Sequence, residues 1–134
     1  MDSINKEILN TLTLDSRTPY LQIAQKLNVS EGMIRQRVKK LVENKEIKKF
    51  TIETNKSSNA IIGLKINTKK NLTNLETKLF SIGASKILHT SGRFDLILET
   101  SKKDSELNKL LDDIRLIKGV EETETFVVLE EIKF

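Results

Sequence analysis

The sequence has no cysteine, no tryptophan, one histidine and one proline among its 134 residues. Without cysteine there is no disulfide, no iron–sulfur cluster and no thiolate zinc site, and a single histidine leaves little from which to build an imidazole site. No metal or other cofactor is therefore expected. Long apolar runs are missing as well: nothing approaches the roughly 20 residues that a membrane-crossing helix needs. The start, Met1-Asp2-Ser3-Ile4-Asn5-Lys6-Glu7, lacks the basic opening and apolar centre of a secretory signal. The expectation is a cytoplasmic protein with no membrane partner. Bias towards disorder is absent too, since 37% of the residues are hydrophobic and 31% are charged, ordinary proportions for a folded chain.

What the sequence does have is an uneven charge. The formal net charge is only +4, yet Arg35, Arg37, Lys39, Lys40, Lys45, Lys48 and Lys49 crowd between Met33 and Lys49 against Glu43 and Glu46 alone. A basic stripe suits a polyanion, because neutralising phosphates releases condensed counterions. A solvated helix face has the same composition, so charge by itself leaves both readings open.

Apolar spacing supplies the next layer. Ile4, Ile8, Leu9 and Leu12 mark an amphipathic helix from about Asp2 to Leu14 that ends near Asp15-Ser16-Arg17. Thr18-Pro19 offers a capping hydroxyl and a proline for the first helical position, and Leu21, Ile23, Ala24 and Leu27 carry the stripe of a second helix. Asn28-Val29 breaks it, and Ser30 caps a third helix with Ile34, Val38 and Leu41 inward. Two short helices joined by a tight turn make a helix-turn-helix. Ile47, Phe50 and Ile52 then begin an extended stretch that reads as a wing, and the polar run 53–59, with Lys56-Ser57-Ser58-Asn59, reads as a linker. The domains expected are 1–52, a winged helix-turn-helix, and 60–134.

From Ala60 the pattern changes. Ala60 to Ile66 is a strand; Leu72, Leu75, Leu79 and Ile82 mark a helix closed by Gly83, with Thr73-Asn74-Leu75-Glu76 as a capping box. Lys86 to Thr90 and Phe94 to Thr100 are strands of a hairpin around Ser91-Gly92-Arg93. Leu107, Leu110, Leu111, Ile114 and Ile117 stripe a second helix, Gly119 stops it, and Thr123 to Ile132 forms the last strand. The order βαββαβ is the ferredoxin-like arrangement, so the whole chain is α+β. Two helices cover one face of such a sheet, and a face left in water should alternate to polar residues. Here Ile61 beside Ile62, Phe94 with Ile97, and Phe126-Val127-Val128-Leu129 leave both faces apolar. Either strand irregularity blurs the alternation, or the same face of a second copy covers it in an isologous contact. The expectation is a homodimer.

On the third helix Gly32, Met33, Gln36, Lys39 and Lys40 point away from the apolar stripe, with Arg35 at its side. That outer face suits the major groove of double-stranded DNA. Ser30 and Gly32 open the helix where backbone approaches closest, while Met33, Arg35 and Gln36 are placed to read base edges, arginine favouring guanine and glutamine adenine. Lys39, Lys40, Lys48 and Lys49 suit phosphates, which position the protein without reading sequence. Arg37, near the core edge, either contacts a phosphate or anchors the helix to an acidic neighbour such as Asp15.

The motif Asp2-x-Ile4-Asn5-x-x-Ile8-Leu9-x-x-Leu12-x-x-Asp15-x-Arg17, followed by Ile23-Ala24-x-x-Leu27-x-Val29-Ser30 and Ile34-x-x-Arg37-Val38-x-x-Leu41, resembles the Lrp/AsnC family, the feast/famine transcription regulators. In the second half, Gly92-Arg93-Phe94-Asp95 resembles that family's Gly-x-Tyr/Phe-Asp hairpin, and Gly119-Val120-x-x-Thr123-x-Thr125-Phe126-Val127-Val128-Leu129-Glu130 its closing strand. The resemblance implies a sequence-specific DNA-binding regulator with a RAM-type ferredoxin-like domain. It also implies dimers paired through their sheets, which in some members assemble into tetramers or octamers, and an amino acid or related metabolite as effector where dimers meet. On that pattern Gly92, Phe94, Asp95, Thr123 and Thr125 lie near the effector, with Asp95 paired to an α-ammonium group. The bland alternative is a hairpin glycine needed for positive φ and an aspartate favoured in turns. Two departures stand out: Lys45 replaces the glycine that usually closes the recognition helix, so Asn44 is expected to take the left-handed cap, and Asn5 replaces the usual second Asp.

Two rival readings remain. Haem-pathway decarboxylases share the two-domain plan, and fold does not fix function; yet a porphyrin pocket needs histidine, and His89 stands alone between Leu88 and Thr90. Asp112-Asp113 and Glu130-Glu131 are adjacent pairs that diverge, and no nucleophile–base set, glycine-rich phosphate loop or metal-ligand spacing is present. The other rival is a winged helix that contacts protein or RNA, against which the basic face argues.

Overall fold

The computed structural model describes residues 2–55, 57–67 and 74–132. The chain divides into two compact units, Met1–Glu53 and Thr54–Phe134.

Among the described residues the first unit contains α1 (Ser3–Leu14), α2 (Tyr20–Leu27) and α3 (Glu31–Glu43). Asp2 caps α1 by accepting the Asn5 N–H at 2.8 Å, and Ser30 caps α3 by accepting the Met33 N–H at 3.1 Å, each satisfying a donor that the first helical turn leaves over. Ile8, Leu12, Ile23, Ala24, Ile34, Val38 and Leu41 form the core, as the spacing predicts. The start of α2 differs from expectation. Pro19 is the cap residue rather than the first helical one: its backbone is extended and its carbonyl accepts from Gln22 and Ile23. Thr18 does not cap forward; its hydroxyl donates back to the Asp15 carbonyl at 2.8 Å.

The end of α3 also departs from expectation. Asn44 stays at φ −81, and Lys45 takes the left-handed conformation at φ 61. Glu46 N–H reaches the Leu41 carbonyl at 2.9 Å and Lys45 N–H the Val42 carbonyl at 3.0 Å, the paired bonds of a Schellman motif. The turn directs Ile47 onto the core. The wing strand is not formed among the described residues: an extended segment becomes a strand by laddering to a partner, and here the bond reaching it is Ser16 Oγ to the Thr51 carbonyl at 3.3 Å. Phe50 and Ile52 are exposed.

The second unit contains β1 (Ala60–Ile66), α4 (Leu75–Ile82), β2 (Lys86–His89), β3 (Leu96–Thr100), α5 (Asp104–Arg115) and β4 (Val120–Val127). The sheet order is β2-β3-β1-β4 and the pairings are antiparallel, giving the expected βαββαβ fold. Ala60, Ile62, Leu64, Leu96 and Leu98 pack against Leu75, Leu79, Leu107, Leu110 and Ile114 of the two helices. The buried Thr100 hydroxyl donates to the Gly83 carbonyl at 2.7 Å and so ties the end of β3 to the end of α4.

Leu72 and Thr73 lie outside the described residues; α4 begins at Leu75, and Asn74, left-handed at φ 62, makes no side-chain cap. β4 begins at Val120 rather than Thr123 and ends at Val127 rather than Ile132. Its partner sets both limits: Val120 pairs with Ile66 and Val127 with Ala60, the two ends of β1. β2 and β3 stop at His89 and start at Leu96, so Thr90, Phe94 and Asp95 belong to the loop.

The register sorts the sheet residues into two faces. Ile61, Gly63 and Lys65 lie opposite Phe126, Glu124 and Glu122, and Gly63 also opposite Ile97, which faces Leu88. These side chains stand on the face away from the core-forming Ile62, Leu64, Leu96 and Leu98.

Candidate nucleic-acid interface and hairpin site

The outer face of α3 follows from burial of its inner one. With Ile34, Val38 and Leu41 in the core, Gly32, Gln36, Lys39 and Lys40 are exposed and Met33 is half-buried. A Cβ on Gly32 would meet nothing within 4 Å, so the first turn of α3 presents open backbone. Ser30 is occupied as the cap. Lys48 and Lys49 are exposed on the irregular segment that follows the Schellman turn.

The two arginines are held. Arg37 donates to the Asp2 carboxylate and, at 3.3 Å, to the Asn5 side chain, so the anchor is Asp2 and not Asp15. Asp15 instead accepts the Arg17 backbone N–H at 3.0 Å. The Asn5 N–H and then the Arg37 guanidinium hold the Asp2 carboxyl below the usual aspartate range. Arg35 bonds to Glu31 at 2.6 Å, and its guanidinium lies 5.5 Å from the centre of the Tyr20 ring. Glu31 and Tyr20 were not selected by sequence reasoning. The i,i+4 spacing of Glu31 and Arg35 was a usable signal; the approach of Tyr20 from α2 was not.

The hairpin residues are drawn together by different means. Gly92 is exposed at φ 136, a conformation that favours glycine. Phe94 lies over Gly63, where a Cβ would come within 2.6 Å of its ring. Arg93 reaches Glu122 at 3.0 Å and Glu124 at 3.2 Å and stacks 5.1 Å from the Phe94 ring. Asp95 continues the sheet beyond β3: its N–H donates to the Leu64 carbonyl and its carboxylate accepts the Ile66 N–H, both at 2.9 Å. Thr123 and Thr125 pair with Leu64 and Ile62, which places them on the helix-covered face, whereas Phe94 lies on the other. Sequence reasoning thus found the loop but missed Gly63, Glu122 and Glu124, which position it.

An AsnC-type helix-turn-helix domain matches residues 1–42. Over 133 residues, covering 96% of this chain and 95% of the relative, the chain is 34% identical to the HTH-type transcriptional regulator LysM of Sulfurisphaera tokodaii. The chain belongs to the Lrp/AsnC family of transcription regulators. Two solved structures share the fold of this Lrp/AsnC chain. Escherichia coli AsnC superposes with a TM-score of 0.82 at 23% identity, covering 100% of this chain and 95% of that one. A feast or famine regulatory protein from M. tuberculosis, complexed with L-methionine, gives 0.88 at 17% identity, covering 99% and 95%.

Proposed function

We propose that the chain regulates transcription by binding double-stranded DNA as a homodimer through the outer face of α3, and that an amino acid or related metabolite modulates it at the Gly92–Asp95 hairpin. The observation that carries the reading is the exposed row Gly32, Gln36, Lys39 and Lys40, set on a helix whose opposite side is locked into a core. Gln36 supplies the donor and acceptor of an amide for base edges, and the lysines supply charge for phosphates. The mode of action is binding rather than catalysis, in line with relatives named as regulators. For the effector, support comes from the M. tuberculosis structure complexed with L-methionine. Because Phe94 and the Thr123 and Thr125 side chains stand on opposite faces, we assign ligand contact to the hairpin side, with Gly92 and Phe94 in reach and Asp95 holding the loop through Ile66. Higher assembly into tetramers or octamers remains part of the same proposal.

A salt titration tests the DNA reading. Affinity for duplex DNA is expected to fall steeply with salt, and Lys40→Ala to weaken all duplexes alike while reducing the log–log slope by about 1. Gln36→Ala should alter sequence preference at one base, at a cost of about 1–3 kcal/mol. Absence of binding to any duplex at low salt sinks the proposal.

A further inference from the structure

On a recognition helix, Arg35 has to choose between a base and the phosphates that surround every groove. An unrestrained surface arginine is a poor reader, because its long side chain samples many rotamers and the nearest phosphate satisfies it equally well. Arg35 is not in that condition. Its Nη2 donates to Glu31 Oε1 at 2.6 Å, and its guanidinium lies over the ring of Tyr20, within the roughly 6 Å at which a cation–π attraction operates. The two partners come from different helices: Glu31 opens α3 and Tyr20 opens α2. Tyr20 is half-buried against the helical core, so the ring is a fixed platform.

We infer that Glu31 and Tyr20 are specificity-determining positioning residues, which hold the Arg35 guanidinium at the N-terminal turn of α3 in the orientation that reads a guanine. The inference rests on the DNA-binding reading above. Helical side chains lean towards the N-terminus, and the first turns of a recognition helix come nearest to base edges, so the stacked guanidinium is carried to the level at which readout occurs. Five N–H donors let arginine keep its bond to Glu31 and still present a two-donor edge to the O6 and N7 acceptors of guanine. Glu31 also discriminates by repulsion. If Arg35 swung out to a phosphate it would leave a carboxylate unpaired beside the DNA backbone, so the carboxylate penalises the non-specific contact more than the specific one. Glu31 sits well for this duty, since a carboxylate at the first turn is favoured by the helix dipole and a Glu-to-Arg pair in this order is the better orientation.

The test is selection of bound duplexes from a random pool with the full chain, followed by anisotropy titrations of the recovered duplex and a scrambled one across a salt series. The wild-type chain is expected to recover a motif containing a guanine that Arg35→Ala no longer selects. Glu31→Ala should reduce preference for that guanine about 5–10-fold, raise affinity for the scrambled duplex several-fold, and steepen the salt slope by about one as Arg35 turns to a phosphate. Tyr20→Phe, which keeps the ring, should preserve the motif, while Tyr20→Leu should relax it in the same sense as Glu31→Ala. Circular dichroism and unfolding midpoints establish that each variant is folded. A clear wild-type motif that Glu31→Ala and Tyr20→Leu both reproduce, with unchanged salt slope, overturns this inference and leaves the DNA reading standing; a folded wild-type chain that recovers no motif overturns both.

Discussion

At the scale of single residues, chemistry and conformation pull against each other at Lys45. Lys45 holds the left-handed position that ends α3, where a Cβ crowds the backbone, and it does so because the Schellman bonds to Leu41 and Val42 and the seating of Ile47 demand that turn. Lys45→Gly is expected to raise stability by about 1 kcal/mol, read as a higher midpoint of urea unfolding with unchanged slope; a lower midpoint would mean that the left-handed turn is not the relevant strain. The sequence marked this site as abnormal, since a lysine stands where a glycine is customary, but it could not say which of Asn44 and Lys45 would turn left-handed. Asparagine has the better intrinsic tolerance, and the hydrogen-bond pattern overrode it. Arg37 teaches a similar lesson. Its position at the core edge was legible from periodicity, but its partner Asp2 lies 35 positions away and is set by how α1 and α3 pack.

At the scale of elements, α1 and α3 were readable because each carries a side-chain cap and a clean apolar stripe, two local signals that agree. The strands were readable in order and less so in extent. β4 runs as far as β1 offers partners, and no residue inside β4 announces that limit. The Phe94 loop shows what is lost most completely in one dimension. Gly63 looks like a weak point in a strand, and its purpose appears only when the Phe94 ring is found lying against it. Gly63→Ala should cost about 1–3 kcal/mol in urea unfolding, because the added methyl meets the base of a ring held down by Arg93 and its two glutamates. Phe94→Ala in the same chain should absorb part of that cost, so the double variant loses less than the two single variants summed; strict additivity would show that ring and glycine do not interact.

At the scale of the whole molecule, the sheet face opposite α4 and α5 is where association is to be sought. Ile61, Leu88, Ile97 and Phe126 stand there, and Phe126 is 52% exposed in the single chain. A second copy would remove such apolar area from water at about 25 cal/mol per Å². The wild-type chain, 15.3 kDa, is expected to show about twice that mass by light scattering, and Phe126→Asp to return it to the mass of one chain while leaving the helix-side core and its circular dichroism intact. A wild-type mass of one chain, or a variant that stays paired, would remove the sheet from the account of assembly.

The outer edge of the sheet bears on how copies meet. β4 is the strand at that edge and carries Glu121, Glu122 and Glu124 with no cation of its own. Two such rims brought side by side would repel, and Arg93 answers only part of that charge. Two β4 edges are therefore poor partners for each other, which disfavours a sheet that runs continuously from one copy into the next through that strand.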